Sequence, residues 1–214
     1  MSQVKLARLH NPTKRQLDEF EALFVLTMSS DLAAISICGG DQSLIGPMAR
    51  AMILAATLGG EIYAATEEGG AIVGCAVWMP PGQELLSTPE QRQLGWNDFF
   101  AKVPQEGKDW FTKTYSNEVT TFINKILGPT GKLDSWYLNI IMVHPEHQGR
   151  GIATKFISIV RENASAHGTM MALSTSDPRN VPIYKALHFE QRGDKRIPSP
   201  WGDWSLYIFT QDTA

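Results

Sequence analysis

Cysteine is scarce in this chain. The 214 residues include only Cys38 and Cys75, and both lie among apolar residues. Small secreted domains are usually rich in disulfides, whereas isolated apolar cysteines are typical of proteins in a reducing compartment. We therefore expect two buried free thiols, although a single disulfide between them is also compatible with the sequence.

The sequence also lacks the residue spacing of a metal site. Four of the five histidines, at positions 144, 147, 167 and 188, do not form a metal-ligand spacing with a cysteine or carboxylate. We expect no metal.

Long apolar runs and blocks of one charge are missing as well. The best apolar run, Ala51 to Leu58, is far shorter than the roughly 18 residues that a membrane-spanning helix needs. The net charge is -3, and lysine and arginine are scattered, so nothing favours nucleic acid as a partner. The first five residues lack the apolar segment of a signal peptide. We expect a soluble, cytoplasmic protein that binds neither nucleic acid nor membrane.

The order of periodic segments predicts the fold class. Strand patterns cover residues 4–9, 61–66, 71–78, 136–143, 169–174, 190–197 and 204–210. Helices are expected from Asn11-Pro12-Thr13 onward, at 43–58, once or twice within 88–127 with a break near Val103-Pro104, and at 149–167 and 180–187. Because residues 136–143 are nearly all apolar, that strand is expected to be covered on both faces. We predict a single domain, residues 1–214, of the α/β class (α+β in some schemes). Its mixed central sheet has about six to seven strands flanked by helices, and a helical insertion at about residues 84–130 separates the third and fourth strands.

A glycine-punctuated turn follows the central strand, in Gln148-Gly149-Arg150-Gly151-Ile152-Ala153. Glycine lets a backbone approach a ligand closely, and the free N–H groups at a helix start attract anions. The turn therefore suits a pyrophosphate, to which Arg150 could add a charge-assisted contact. Alternatively, the glycines only shape a strand-to-helix turn. The sequence is neither a Walker loop nor a dinucleotide fingerprint.

Two segments resemble the GNAT superfamily of N-acetyltransferases. The run from Val143 to Ala153 is similar to the family's acetyl-CoA signature, V-x-P-x-x-Q/R-x-x-G-x-G/A, at every fixed position. The run from Asn180 to Phe189 resembles the family's N-x-x-x-Y-x-x-x-G-F, except that His188 stands in place of glycine. Histidine tolerates the left-handed conformation better than most residues, so the fold is only mildly threatened. The run Val77 to Gly82, together with the insertion, is similar to a fungal-type subgroup.

The resemblance implies a GNAT fold, acetyl-CoA as co-substrate and a set of site residues. The splayed central strand, Ile141, Met142 and Val143, would bind the acetyl carbonyl and the pantetheine arm through its backbone. The segment Gln148, Gly149, Arg150, Gly151, Ile152 and Ala153 would hold the pyrophosphate. Asn180 would contact the pantetheine, and Tyr184 would protonate the leaving thiolate. Asn180 could instead be a helix N-cap, and Tyr184 a core residue.

The acceptor side is less determined. The loop carrying Trp201 and Asp203 lies between the last two predicted strands, where it could overhang the acceptor end of the thioester. The loop carrying Asp41 is a second candidate to line the substrate pocket, because the resemblance implies that this region shapes the acceptor site. Attack on a thioester requires a neutral amine. An alkylamine has a pKa of about 10.4 and is protonated at neutral pH, so a base or a water chain is needed to remove its proton. The strand offers no carboxylate; the candidates for the base are Asp134, Glu61, Asp41, Asp203 and His144.

The function expected from these features is acetyl transfer from acetyl-CoA to a primary amine of a small molecule, by direct attack in a ternary complex. No cysteine is placed to form an acetyl-enzyme. The alternatives are a non-catalytic acyl-CoA sensor and a protein or peptide lysine acetyltransferase. A monomer and a homodimer are both compatible with the sequence.

Overall fold

A seven-stranded sheet organises the molecule, whose computed structural model describes residues 4–213. The strand order is β1-β2-β3-β4-β5-β7-β6. Only β4 and β5 run parallel, and every other neighbouring pair is antiparallel. The strands are β1 (Lys5–Leu9), β2 (Glu61–Thr66), β3 (Ile72–Met79), β4 (Trp136–Val143), β5 (Met171–Thr175), β6 (Glu190–Ile197) and β7 (Trp204–Gln211). The mixed α/β class and the predicted succession of seven strands along the chain are confirmed.

The helices flank this sheet. They are α1 (Lys14–Met28), α2 (Leu32–Ile37), α3 (Ile45–Ala56), α4 (Pro89–Gln93), α5 (Trp96–Lys102), α6 (Gln105–Trp110), α7 (Ser116–Leu127), α8 (Ile152–Ala166) and α9 (Val181–Ala186). The insertion, residues 84–130, thus holds four α-helices and a π-helical turn (Phe111–Tyr115), where one or two helices were expected. The predicted break at Val103-Pro104 separates α5 from α6.

Helix α2 contradicts the expectation of two helices before the hairpin. It has six residues, too few for a helical period to show in the sequence. Its start is fixed by Asp31, whose carboxylate accepts a hydrogen bond from the backbone N–H of Ala34 at 2.8 Å. Thr13 caps α1 in a similar way, through a capping box with Gln16.

Apolar cores lie on both faces of the sheet. On the α8 side, α8 packs on β3 and β4 through a cluster that includes Leu138, Phe156 and Phe209. On the opposite side, a cluster around Phe20 and Ile53 joins α1 and α3 to the sheet. A third cluster joins the insertion to β6 and β7. The central strand β4 is therefore covered on both faces, as its apolar sequence predicts.

Both cysteines lie inside this packing. Cys38 and Cys75 are each 0% exposed and are free. Burial raises the pKa of the Cys75 thiol, which makes it an inert apolar group at neutral pH.

Candidate functional site

The sheet opens between its two parallel strands. Pairing of β4 with β5 covers only Trp136 to Leu138 on β4 and Met171 to Leu173 on β5. Beyond these residues, β4 continues to Val143 against β3 alone. We call this segment of β4, Asn139–Val143, and the gap beside it the opening.

A bulge decides which backbone groups face the opening. Ile140 pairs with Val77 and Leu138 pairs with Trp78, so Asn139 is the extra residue. Backbone N–H groups of a strand point to alternate sides. The N–H of Trp136 points to β5, bonding the Met170 carbonyl at 2.9 Å, whereas that of His144 points to β3, bonding the Val73 carbonyl at 2.8 Å.

His144 is eight positions after Trp136, an even number, so without a bulge both N–H groups would point to the same side. The bulge reverses the alternation, and Ile141 and Val143 therefore turn their backbone groups toward the opening. The Val143 carbonyl accepts a hydrogen bond from the Gln148 side chain at 3.1 Å. Met142, predicted to join the site, pairs with Cys75 and directs its backbone to β3.

The glycine turn leads from the opening into α8. Gly149 and Gly151 have φ angles of 72° and 74°, which L side chains rarely adopt. A Cβ added to either glycine would meet nothing within 4 Å. These glycines are therefore required by the backbone conformation and border open space.

The start of α8 lacks a protein cap. Gly151 is the N-cap, no side chain caps the helix, and the first turn carries no acidic residue. The first bond of the helix joins the Lys155 N–H to the Gly151 carbonyl. The N–H groups of Ile152 and Ala153 thus have no partner within the helix and, with the helix dipole, suit an anion. Arg150 is exposed beside them and forms no ion pair within residues 4–213.

His147 ties this turn to the hairpin of β2 and β3. Its Nε2 lies 3.7 Å from the carboxylate of Glu67, and its side chain is only 12% exposed. Its ring stands edge-on to that of His144, with centroids 5.8 Å apart. His147 thus lies between the turn and the connection from β2 to β3.

Asn180 and Tyr184 lie on the other side of the opening. Asn180 does not cap α9; its Nδ2 donates to the Thr175 hydroxyl at the end of β5, at 3.1 Å. Tyr184 is 6% exposed and packs against Phe189 and Phe209, with ring centroids 6.0 and 5.5 Å away.

Burial, with a smaller contribution from the Asp177 charge, raises the pKa of Tyr184. The phenol therefore keeps its proton at neutral pH and can act as a donor. The chain turns after α9 at His188, whose φ is 67°, so histidine does occupy a left-handed position.

The predicted acceptor loops meet each other. A Cβ on Gly40 would lie 2.2 Å from the indole nitrogen of Trp201, so the loop before Asp41 packs on that ring. Trp201 also stands edge-on to Trp110 of the insertion, with centroids 6.2 Å apart. Asp41 accepts hydrogen bonds from the backbone and hydroxyl of Ser43.

The carboxylate of Asp203 fixes the turn between β6 and β7. It accepts from the Ser199 backbone at 3.1 Å and from the Arg196 guanidinium at 2.9 Å. The structure thus places Trp201 and the Asp41 loop together, and gives Asp203 a local structural partner.

Of the other candidate bases, Glu61 and His144 have local hydrogen-bond partners and Asp134 is exposed. Glu61, on β2, lies two strands from β4, is 8% exposed, pairs with Arg8 and accepts the Tyr63 hydroxyl at 2.6 Å. His144 accepts from the Glu146 backbone at 3.3 Å. Asp134 is exposed.

Helix α2, which the sequence did not reveal, lies against the loops after β5 and before β7, on the side predicted for the acceptor. Its N-cap Asp31 accepts a hydrogen bond from Ser176, just after β5. Ser36 exchanges a hydrogen bond with Ser199 at 2.6 Å. Partners this far apart in the chain leave no local signal.

A second missed pair spans β4 and β5 at the opening. The Tyr137 hydroxyl donates to Ser174 Oγ at 2.9 Å. Tyr137 lies in a strand whose apolar pattern predicts only burial, so its polar contact is not visible from sequence.

Across residues 4–213, no helix is both long and apolar enough to cross a bilayer. The same residues contain no group of three or more His, Cys, Asp or Glu that could hold a metal.

Comparison with known proteins points to one family. The family model described as an acetyltransferase (GNAT) domain matches residues 96–198. An uncharacterised N-acetyltransferase of Schizosaccharomyces pombe is 27% identical over 125 residues, which are 57% of this chain and 49% of that protein. The match therefore spans about half the length of this curated relative.

Solved structures share the fold. A protein of Corynebacterium glutamicum titled histone acetyltransferase HPA2 and related acetyltransferase has a TM-score of 0.58 and 17% identity, covering 97% of this chain and 94% of that chain. An agmatine N-acetyltransferase has a TM-score of 0.55 and 13% identity, covering 98% of this chain and 100% of that chain. At these identities the likeness shows the fold alone.

Proposed function

We propose that this chain is an acetyltransferase of the GNAT type, whose family model matches residues 96–198, and that it transfers an acetyl group from acetyl-CoA to a primary amine of a small molecule. One observation carries the proposal. The backbone of Ile141 and Val143 faces an opening that continues directly into the uncapped, glycine-bordered start of α8. An elongated ligand with a pyrophosphate at one end and an amide-bearing arm at the other suits this arrangement.

The residues present fit such a donor. The N–H groups from Gln148 to Ala153 would hold the pyrophosphate, in the space that a Cβ on Gly149 or Gly151 would enter. Arg150 would add a charge-assisted hydrogen bond. The exposed backbone of Ile141 and Val143 would pair with the amides of the pantetheine arm, as a strand would. Asn180, held by Thr175 rather than used as a cap, would contact the same arm.

Acetyl-CoA would supply the acetyl thioester. Two groups of this chain would then assist the reaction, a backbone N–H of β4 and the Tyr184 phenol. A backbone N–H of β4 at the opening is fixed by the sheet and can stabilise the carbonyl oxygen without reorganising. Tyr184 is a protonated phenol at neutral pH, and burial raises its pKa further, so it would be the group that donates a proton to the sulfur as the C–S bond breaks. Both cysteines are buried away from solvent, which supports direct attack by the amine in a ternary complex.

A small acceptor is favoured by the cover over the acceptor side. Helix α2 is fastened to the loops after β5 and before β7 through Asp31 and Ser36. The insertion adds Trp110 against Trp201. The family fold also serves proteins named for a small amine and for histones, so the fold does not choose between these acceptors.

Two measurements test the proposal. Titration calorimetry should detect acetyl-CoA binding, and no binding at millimolar concentration would sink the proposal. Release of free CoA should then be screened with polyamines, aminoglycosides, arylalkylamines, amino acids and lysine peptides. Turnover confined to lysine peptides would contradict a small-molecule acceptor. Binding without any turnover, unchanged by Tyr184→Phe, would indicate an acyl-CoA sensor instead.

A further inference from the structure

Two polar pairs flank the opening on opposite faces of the sheet. Thr175 pairs with Tyr207, which packs against the α8-side core, and Ser174 pairs with Ile208, which belongs to the core under the insertion. Directly paired residues of neighbouring strands share a face. The Thr175–Asn180 pair therefore lies on the α8 side, and Ser174 faces the insertion and α2.

The second pair is fixed from β4. Tyr137 is 4% exposed and donates its hydroxyl proton to Ser174 Oγ at 2.9 Å. Lys132 lies over the Tyr137 ring, with its Nζ 5.0 Å from the centroid, and forms an ion pair with Glu84. Burial raises the pKa of Tyr137 to about 12, so the phenol remains a donor throughout the neutral range.

The Ser174 hydroxyl has hydrogen-bonding capacity left over. A serine hydroxyl can donate once and accept twice, and the Tyr137 proton uses one acceptor position. Nothing else in residues 4–213 forms a hydrogen bond with this oxygen. Ser174 is half-buried and is the first residue of β5 beyond the last pair with β4. A small polar ligand in the opening can thus reach it from the insertion side.

Tyr184, the proposed donor to the leaving sulfur, belongs to the α8-side core. The leaving sulfur lies in the plane of the thioester, and a nucleophile adds to the carbonyl carbon through one of the two faces of that plane. The α8 side is filled by α8 and α9, which leaves the insertion side for the amine.

We propose, on the basis of the acetyl transfer inferred above, that Ser174 Oγ contacts the attacking amine and that Tyr137 is the residue that positions Ser174. An amine N–H donates to the unused acceptor position of Ser174, which turns the nitrogen lone pair toward the thioester. The N–C bond then forms and the C–S bond breaks. The thiolate takes the Tyr184 proton, the new ammonium gives its proton to water, and water returns a proton to the Tyr184 phenolate.

The test compares Ser174→Ala, Tyr137→Phe and the double variant with the parent protein. The assay is CoA release with spermidine and phenethylamine as probes, and with water alone as acceptor; calorimetry gives the Kd for acetyl-CoA. Ser174→Ala should lower kcat/KM for the amine at least tenfold while the Kd for acetyl-CoA stays within twofold. Tyr137→Phe should lower it several-fold, and the double variant should match Ser174→Ala within twofold, because Tyr137 acts through Ser174.

Two further variants separate this role from a structural one. Ser174→Thr keeps the hydroxyl and should retain more activity than Ser174→Ala. Ser205→Ala removes a half-buried serine from the neighbouring strand β7 and should leave the rate unchanged. The inference would be overturned, with the proposed function left standing, by either of two results. One is an unchanged kcat/KM in Ser174→Ala. The other is a Tyr137→Phe effect that is just as large when Ser174→Ala is also present. A parent protein that binds no acetyl-CoA, or releases no CoA with any probe or water, would overturn both it and the proposed function.

Discussion

Replacing Gly151 with alanine tests whether the turn before α8 binds the pyrophosphate. The φ angle of Gly151 is 74°, which costs a residue with a Cβ about 1–2 kcal/mol. No neighbour lies within 4 Å of the added Cβ, so no clash adds to this strain. For a chain of this size, about 1–2 kcal/mol corresponds to a fall in Tm of roughly 2–8 °C.

The effect on binding should be larger than the strain explains. The added methyl would enter the open space beside the unpaired N–H groups of α8. A hydrogen bond to a charged group contributes about 1.5–3 kcal/mol, so losing one should raise the Kd for acetyl-CoA roughly ten- to 150-fold. Titration calorimetry measures the Kd, and thermal unfolding measures the strain.

Gly168 offers a matched control at the other end of the same helix. Its φ angle is 60°, and a Cβ there also meets nothing within 4 Å. Gly168→Ala should therefore lower Tm by a similar amount and leave the Kd for acetyl-CoA unchanged. If Gly151→Ala and Gly168→Ala bind acetyl-CoA equally well, the pyrophosphate does not lie at this turn, and the glycines serve only the backbone.

Four other changes have defined outcomes. Tyr184→Phe should lower kcat about 10²–10⁴-fold and leave the Kd for acetyl-CoA unchanged. Steady-state kinetics measures kcat, and an unchanged kcat would refute the role of Tyr184 as the acid. Asn180→Ala should weaken acetyl-CoA binding but barely change Tm, since Asn180 caps no helix; a loss of about 1 kcal/mol in unfolding free energy would indicate a capping role instead. Gly40→Ala places a Cβ 2.2 Å from the Trp201 indole, so the KM for the amine should rise more than that for acetyl-CoA, and equal rises would separate this loop from the acceptor. Burial, with the Asp41 charge, raises the pKa of Cys38 from 9.0 to about 12. The thiol of the unfolded chain therefore loses its proton at a lower pH than the thiol of the folded protein. As a result, the free energy of unfolding falls as pH rises from 9 to 12. Urea unfolding at pH 8 and 10 should show the parent losing about 1.4 kcal/mol more than Cys38→Ala, and parallel losses would contradict this.

Local sequence patterns predicted much of the fold and the proposed donor half of the site. All seven strands are periodic or apolar segments bounded by turns, and each lies close to its predicted position. The glycines at 149 and 151 indicate a backbone with positive φ, which the structure contains. These features depend on residues adjacent in the chain, so the sequence alone is sufficient to predict them.

The acceptor half depended on contacts between distant segments. Tyr137 and Ser174 are 37 residues apart, and Ser36 and Ser199 are 163 apart. The bulge at Asn139 arises from the register of β4 against β3, and it alone turns Ile141 and Val143, rather than Met142, toward the opening. No local pattern encodes a register or a long-range hydrogen bond, because both are set by how the packed strands and helices fit together. The sequence therefore predicted the proposed pyrophosphate site, and only the tertiary structure brought together Tyr137 and Ser174, the pair that we propose for the incoming amine.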